Sequence, residues 1–232
     1  MQLTKHISIR QQPDDVTCGP TCLHAVYKYL GLDIGLTEVI QSVNFLEDGG
    51  TLAVMLGIDA LKRGYKAKIV SYNLKVFDPS WSSLNRMELI EKLENQVSVK
   101  HGKKFGEATR AYQEFLKLGG EIIYDDLTPE LLESYFSHDI PVLAGLSATY
   151  LYNSQREYTN SKNQTVYHDL KGEPAGHFVV LCGMNQDVVY VSDPYRENPF
   201  GQSHYYEVNI NRLINSIMLG IITYDANLLI LS

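Results

Sequence analysis

The last third of the chain constrains the fold most. "GHFVVLCGM", "DVVYVSDP", "SHYYEVNI" and "GIITYDANLLIL" are β-branched and aromatic runs separated by turn formers. That is the pattern of short strands. The first two meet at a "GMNQ" turn. Strands joined so closely pair antiparallel, which sets the start of one beside the end of the next.

The preceding residues read mainly as helices. Residues 4–9, "TKHISI", read as a short strand, and "QQPDDVT" as a turn. The spacing then predicts a helix from Gly19 to Tyr29. Pro20 fits its first turn, where a missing N–H costs nothing. Leu23, Val26, Tyr27 and Leu30 fall at helical spacing. A second helix is expected over residues 37–43 with Thr37 as cap. A third is expected with Thr51 as cap and Gly64 as terminator, followed by a strand over residues 66–70. From about Tyr72 to Gly120 the texture changes to a loop and two amphipathic helices, "NRMELIEKLENQV" and "EATRAYQEFLKLGG". No flexible linker flanks this segment, so it reads as an insertion within a single domain spanning 1–232. Next come a strand in "EIIYD", a helix capped by Thr128 with Pro129 in its first turn, and an apolar strand in "PVLAGLSATYLY". Residues 153–173 are polar with little periodicity and read as a loop. Helices first and antiparallel strands last point to an α+β fold.

A chain of 232 residues with 44% hydrophobic and 20% charged residues can bury a core without disulfide staples. Its net charge of −7 argues against a general nucleic-acid or anionic-membrane binder, which needs a basic surface. "KHGKK" is locally basic but short, and reads as a solvated loop. No signal peptide is visible and no apolar run is long enough for a membrane span. The three cysteines are too few and too unevenly spaced for a disulfide framework, so a reduced, cytoplasmic protein is the default. "NQT" at Asn163 matches a glycosylation acceptor with nothing else to suggest secretion.

The chemistry turns on Cys18. It stands just before Pro20, at a predicted helix N-terminus, where unpaired N–H groups and the helix dipole favour a thiolate. Cys22 follows one turn later within the apolar stripe and reads as a packed core thiol. No His/Cys cluster completes a metal site, so no metal or cofactor is expected. A nucleophilic cysteine needs a base, and the base an orienting group. Of seven histidines, His177 opens a buried strand, a rigid place from which to aim an imidazole. His168 falls in the polar loop, and His24 lies roughly across the helix from Cys18. The next strand ends in Asp193-Pro194, which antiparallel pairing would bring beside His177. A carboxylate on one ring nitrogen turns the other toward the thiol. Gln12, in the turn feeding the helix, can offer its amide to an oxyanion beside the Cys18 N–H, and spacing leaves Gln11 as a competitor.

"Q-x5-C-G-P-T-C-L", "GHFVVL" and "VSDP" resemble the papain-like cysteine peptidases of the bacteriocin-processing kind, cysteine peptidase family thirty-nine. "GGTLAVMLGIDALKRGYKAKIV" resembles that family's segment after the nucleophile helix, and "YDANLLIL" a bacterial stand-alone branch not fused to a transporter. The resemblance covers most of the chain outside residues 72–120. It implies a papain-like fold with the nucleophile helix packed on an antiparallel sheet, and no metal. It also implies Gln12 as oxyanion donor, Cys18 as nucleophile, His177 as base and then acid, and Asp193 as orienter. The expected partner is a peptide or protein substrate, and the expected activity is hydrolysis of a peptide or amide bond. The rival expectations are a peptide ligase or acyltransferase using the same acyl-enzyme, and a non-catalytic peptide-binding module. The oligomeric state is not legible in the sequence.

Overall fold

The structure, a computed structural model, describes residues 7–47, 49–162 and 164–232. Its elements are α1 (Cys18–Tyr29), α2 (Leu36–Ser42), α3 (Ala53–Lys62), β1 (Ala67–Ser71), α4 (Arg86–Val99), α5 (Lys103–Lys117), β2 (Glu121–Ile123) and α6 (Pro129–Phe136). They continue with β3 (Val142–Ser147), α7 (Ala148–Tyr152), β4 (Glu157–Thr159), β5 (Thr165–Tyr167), β6 (Gly176–Asn185), β7 (Val188–Ser192), β8 (Tyr205–Asn209), α8 (Ile210–Leu219) and β9 (Asn227–Leu231).

Seven strands form one sheet in the order β2-β1-β9-β3-β6-β7-β8. Every pairing is antiparallel except the edge pair β1–β2. β3 and β9 are buried along their whole length, which is why "VLAGLS" and "NLLIL" are unbroken runs rather than alternating ones. A strand covered on both faces has no polar side to show. Leu143, Phe178, Val180 and Leu229 join a core with residues of α1, α3 and α5. Their neighbours Ala144, Val179, Leu181 and Leu228 join a second core with residues of α6 and α8. The sheet thus sits between two helical layers, and α1 packs against β6.

Several boundaries differ from the sequence pattern. Residues 4–6 of the expected first strand lie outside the described residues. Ile7 and Ile9 are buried but form no strand. α2 begins at Leu36, so Thr37 is inside the helix and Gly35 precedes it. Leu52, not Thr51, precedes α3. Thr51 instead buries its hydroxyl without a partner, and a Cβ on Gly19 would run into it. Asn185 ends β6, so the turn to β7 is Gln186-Asp187, with Gln186 left-handed (φ 52°). The expected polar loop contains a hairpin, β4–β5. A whole helix, α8, lies before the final strand, and Gly220–Thr223 is a 3-10 turn rather than strand. Asn163 lies outside the described residues. No helix among the described residues is long and apolar enough to cross a membrane.

Candidate active site

Cys18 is the first residue of α1 and is half-buried. Asp14 shapes the approach to it. Its carboxylate accepts the Val16 N–H at 3.0 Å, and its carbonyl accepts the Thr17 hydroxyl at 3.4 Å. Thr17 precedes the helix but caps it with no side-chain hydrogen bond, and the first turn carries no acid. The positive end of the helix therefore faces the thiol uncompensated by any acidic side chain of that turn.

His177 lies near the start of β6 and is 7% exposed. Strand pairing matches Val180 with Ser192, which carries His177 toward the residue after β7. That residue is Asp193, which is fully buried and holds Nε2 of His177 on Oδ1 at 2.9 Å. Burial alone would lower the imidazole's affinity for a proton. The charge of Asp193, the charge of Cys18 and hydrogen bonds to both outweigh it and push His177 up to about 10. Asp193 shows the converse. Burial would raise it, but the charge and hydrogen bond of His177, the Tyr152 hydroxyl and the Tyr195 N–H hold it below the usual carboxylate range. Since Nε2 is taken by Asp193, Nδ1 is the ring nitrogen left for the thiol.

Gln12 is joined to this network through its main chain, donating its N–H to the Pro194 carbonyl at 3.0 Å. Its side-chain amide donates to the Asp14 carbonyl at 2.8 Å, while its Oε1 is buried without a partner. Gln11 is exposed. Gln12 and His177 line a cleft of about 230 Å³ together with Asp15, Glu157, Tyr167 and Tyr195. The hairpin β4–β5 supplies one wall, tied down by the Thr165 hydroxyl donating to Asp15 at 3.0 Å. Burial and the neighbouring Asp15 raise the Glu157 carboxyl, while His177 lowers it.

The sequence is similar to proteins of one known family. It matches the Peptidase_C39 like family over residues 4–216. The chain belongs to this family. Its fold is the papain-like α+β arrangement of these peptidase domains. It is similar to a solved structure described as a C39-like peptidase from Bacillus anthracis, at 14% identity and TM-score 0.52, covering 97% of this chain and 94% of that one. It is also similar to the peptidase domain of Streptococcus ComA, a bi-functional ABC transporter involved in quorum sensing. There the identity is 14% and the TM-score 0.46, with 98% of each chain covered. A third likeness is to a double glycine motif protease from an AMS/PCAT transporter in complex with its leader peptide. The identity is 15% and the TM-score 0.45, covering 97% of this chain and 91% of that one. No curated protein matches the sequence.

The other two cysteines of this C39-like chain pack inside it. Cys22 is fully buried, with its thiol on the Phe178 carbonyl at 3.2 Å, and burial, then the charges of Cys18 and Asp193, push it well above the ordinary thiol value. Cys182 lies 3.1 Å from the Ser192 hydroxyl and is raised by burial. Among the described residues, no group of three His, Cys, Asp or Glu side chains is placed to hold a metal ion. Sequence reasoning missed Tyr152 and Tyr206, whose hydroxyls both reach Asp193. Their only signal was a general excess of tyrosine, 16 in all, which does not single out two.

Proposed function

We propose that the protein is a thiol hydrolase that cleaves a peptide or amide bond through an acyl-thioester on Cys18. The observation that carries this reading is the buried pair of His177 and Asp193, Nε2 on Oδ1 at 2.9 Å, with His177 under the electrostatic influence of Cys18 at the start of α1. The Cys18 sulfur attacks the substrate carbonyl while His177 holds the proton. In this reading the Cys18 N–H and a Gln12 amide hydrogen, the amide turning from the Asp14 carbonyl it now meets, donate to the developing oxyanion. His177 passes its proton to the leaving amine, and the C–N bond breaks. Water then attacks the thioester, giving its proton to His177, which returns it to the departing thiolate. Asp193 keeps Nε2 engaged throughout. With Asp15 and Glu157 on its wall, the cleft favours neutral or basic peptides over acidic ones.

Two measurements test this. Iodoacetamide should modify Cys18 well before Cys22 or Cys182, and Cys18→Ala should abolish turnover of any peptide the protein cleaves. Equal labelling of all three thiols would falsify the assignment of the nucleophile. Repeating turnover with added amines reports whether water or an amine takes the acyl group, because both compete for the same intermediate.

A further inference from the structure

Asp193 receives more than its histidine. Oδ1 accepts Nε2 of His177 at 2.9 Å and the Tyr195 N–H at 2.8 Å. Oδ2 accepts two phenol hydroxyls, Tyr152 and Tyr206, each at 2.7 Å. A carboxylate has about four lone-pair sites, two on each oxygen, so every site is filled.

The two phenols come from separate elements. Tyr152 ends α7 and Tyr206 lies in β8. Phe200 locks them, stacked on Tyr206 at 4.5 Å and edge-on to Tyr152 at 6.2 Å. The main chain of Asp193 is also fixed. Its N–H donates to the His204 carbonyl at 2.8 Å, and its carbonyl lies 2.7 Å from His204 Nδ1.

We propose that Tyr152 and Tyr206 are positioning residues for the reaction, clamping Oδ2 so that the Asp193 carboxylate meets His177 through Oδ1 alone. The proposal rests on the reading of Cys18 as nucleophile. A terminal sp² torsion is soft and roughly two-fold, so an unclamped carboxylate could swing and let the imidazole swing with it. Two short hydroxyl bonds remove that freedom. They also keep the carboxylate ionised where no water reaches it, because donors to a charged acceptor favour its charged form. The phenols suit the task. Burial and the charge of Asp193 push both well above the ordinary tyrosine value, so they remain neutral donors.

The clamp predicts an effect on pH dependence that a packing role alone does not. Tyr206→Phe and Tyr152→Phe keep the rings and remove one donor each. Asp193 then takes up a proton at higher pH, which releases His177 and with it the thiolate. The rate of Cys18 modification by iodoacetamide, followed from acid to alkaline pH, should show its acid limb displaced upward by about one pH unit for each hydroxyl lost. The alkaline end should stay in place. Circular dichroism identifies the folded variants, and either single variant suffices if the double variant does not fold. An acid limb superimposable on the wild type in a folded variant, with wild-type Cys18 still selectively reactive, overturns the clamp. Wild-type Cys18 reacting no faster than Cys182 at any pH overturns the nucleophile itself, and the clamp with it.

Discussion

His177 and Asp193 carry their charges at opposite ends of the titration range, so stability should follow pH in a defined way. His177 binds its proton more tightly when folded, moving from 6.5 to about 10. Its contribution is therefore complete below 6.5 and is lost as pH rises toward 10. Asp193 is held below its ordinary 3.8, so its contribution is complete above 3.8 and lost only on further acidification. The pair stabilises most between those two ordinary values. Asp193→Asn removes the partner that raises His177. The melting-temperature gap between wild type and this variant should therefore be widest in that window and narrow as pH climbs toward 10. A gap constant with pH would mean the charge pair is not its source. Asp225 has the opposite sign. Burial outweighs the Thr223 hydrogen bond and raises its carboxyl to about 7, so ionising it opposes folding. Asp225→Asn should gain on wild type as pH rises from acid to neutral, read by the same thermal melts. Asp225 also explains why residue 176 is glycine, since a Cβ there would run into its Oδ2.

The elements were legible in proportion to how far their apolar spacing extended. α1, α4, α5 and α6 follow a helical stripe, and the Thr128 hydroxyl caps α6 on the Leu131 N–H at 3.2 Å. The neighbouring placement of His177 and Asp193 was also legible, because one short turn fixes which strand ends meet. α8 hid between two strand-like runs. Its stripe of Ile210, Leu213 and Ile217, with Asn209 as cap, was the available signal. α7 has five residues, too few to show a period, and needs Ser147 to cap it on the Tyr150 N–H. β4 and β5 have three residues each and are held by tertiary bonds, so local sequence could not separate them from a loop. That hairpin forms a wall of the cleft, and it yields a prediction. Glu157 faces the cleft with a half-buried carboxylate. In a partly desolvated ion pair of about 1 kcal/mol, Glu157→Gln should raise KM for a peptide with a basic residue in this subsite by roughly five-fold, with KM for a neutral peptide nearly unchanged. Equal effects on both peptides would remove Glu157 from substrate selection.

At the scale of the whole molecule the question is whether the segment carrying α4 and α5 is an attachment or part of the frame. Its contacts favour the frame. Phe115 of α5 is fully buried against α3, so close that a Cβ on Gly57 would lie 2.7 Å from its ring. The Tyr112 hydroxyl donates to Asn227 at 3.3 Å, and Asn227 also accepts the Ser71 hydroxyl at 2.8 Å, which ties α5 to β1 and β9. Removing the Phe115 ring leaves a cavity between two helices that also hold the sheet. Phe115→Ala should therefore lower stability by about 3–5 kcal/mol, and it should do so for the sheet as much as for the segment. The chain offers separate probes for each. Its one tryptophan, Trp81, lies in the segment and packs on the core, while Cys182 lies in β6. In denaturant, tryptophan fluorescence and the reactivity of the Cys182 thiol should change together, in wild type and in Phe115→Ala alike. A fluorescence transition well ahead of Cys182 exposure would show that the segment unfolds by itself and that the sheet beneath the candidate catalytic residues stands without it.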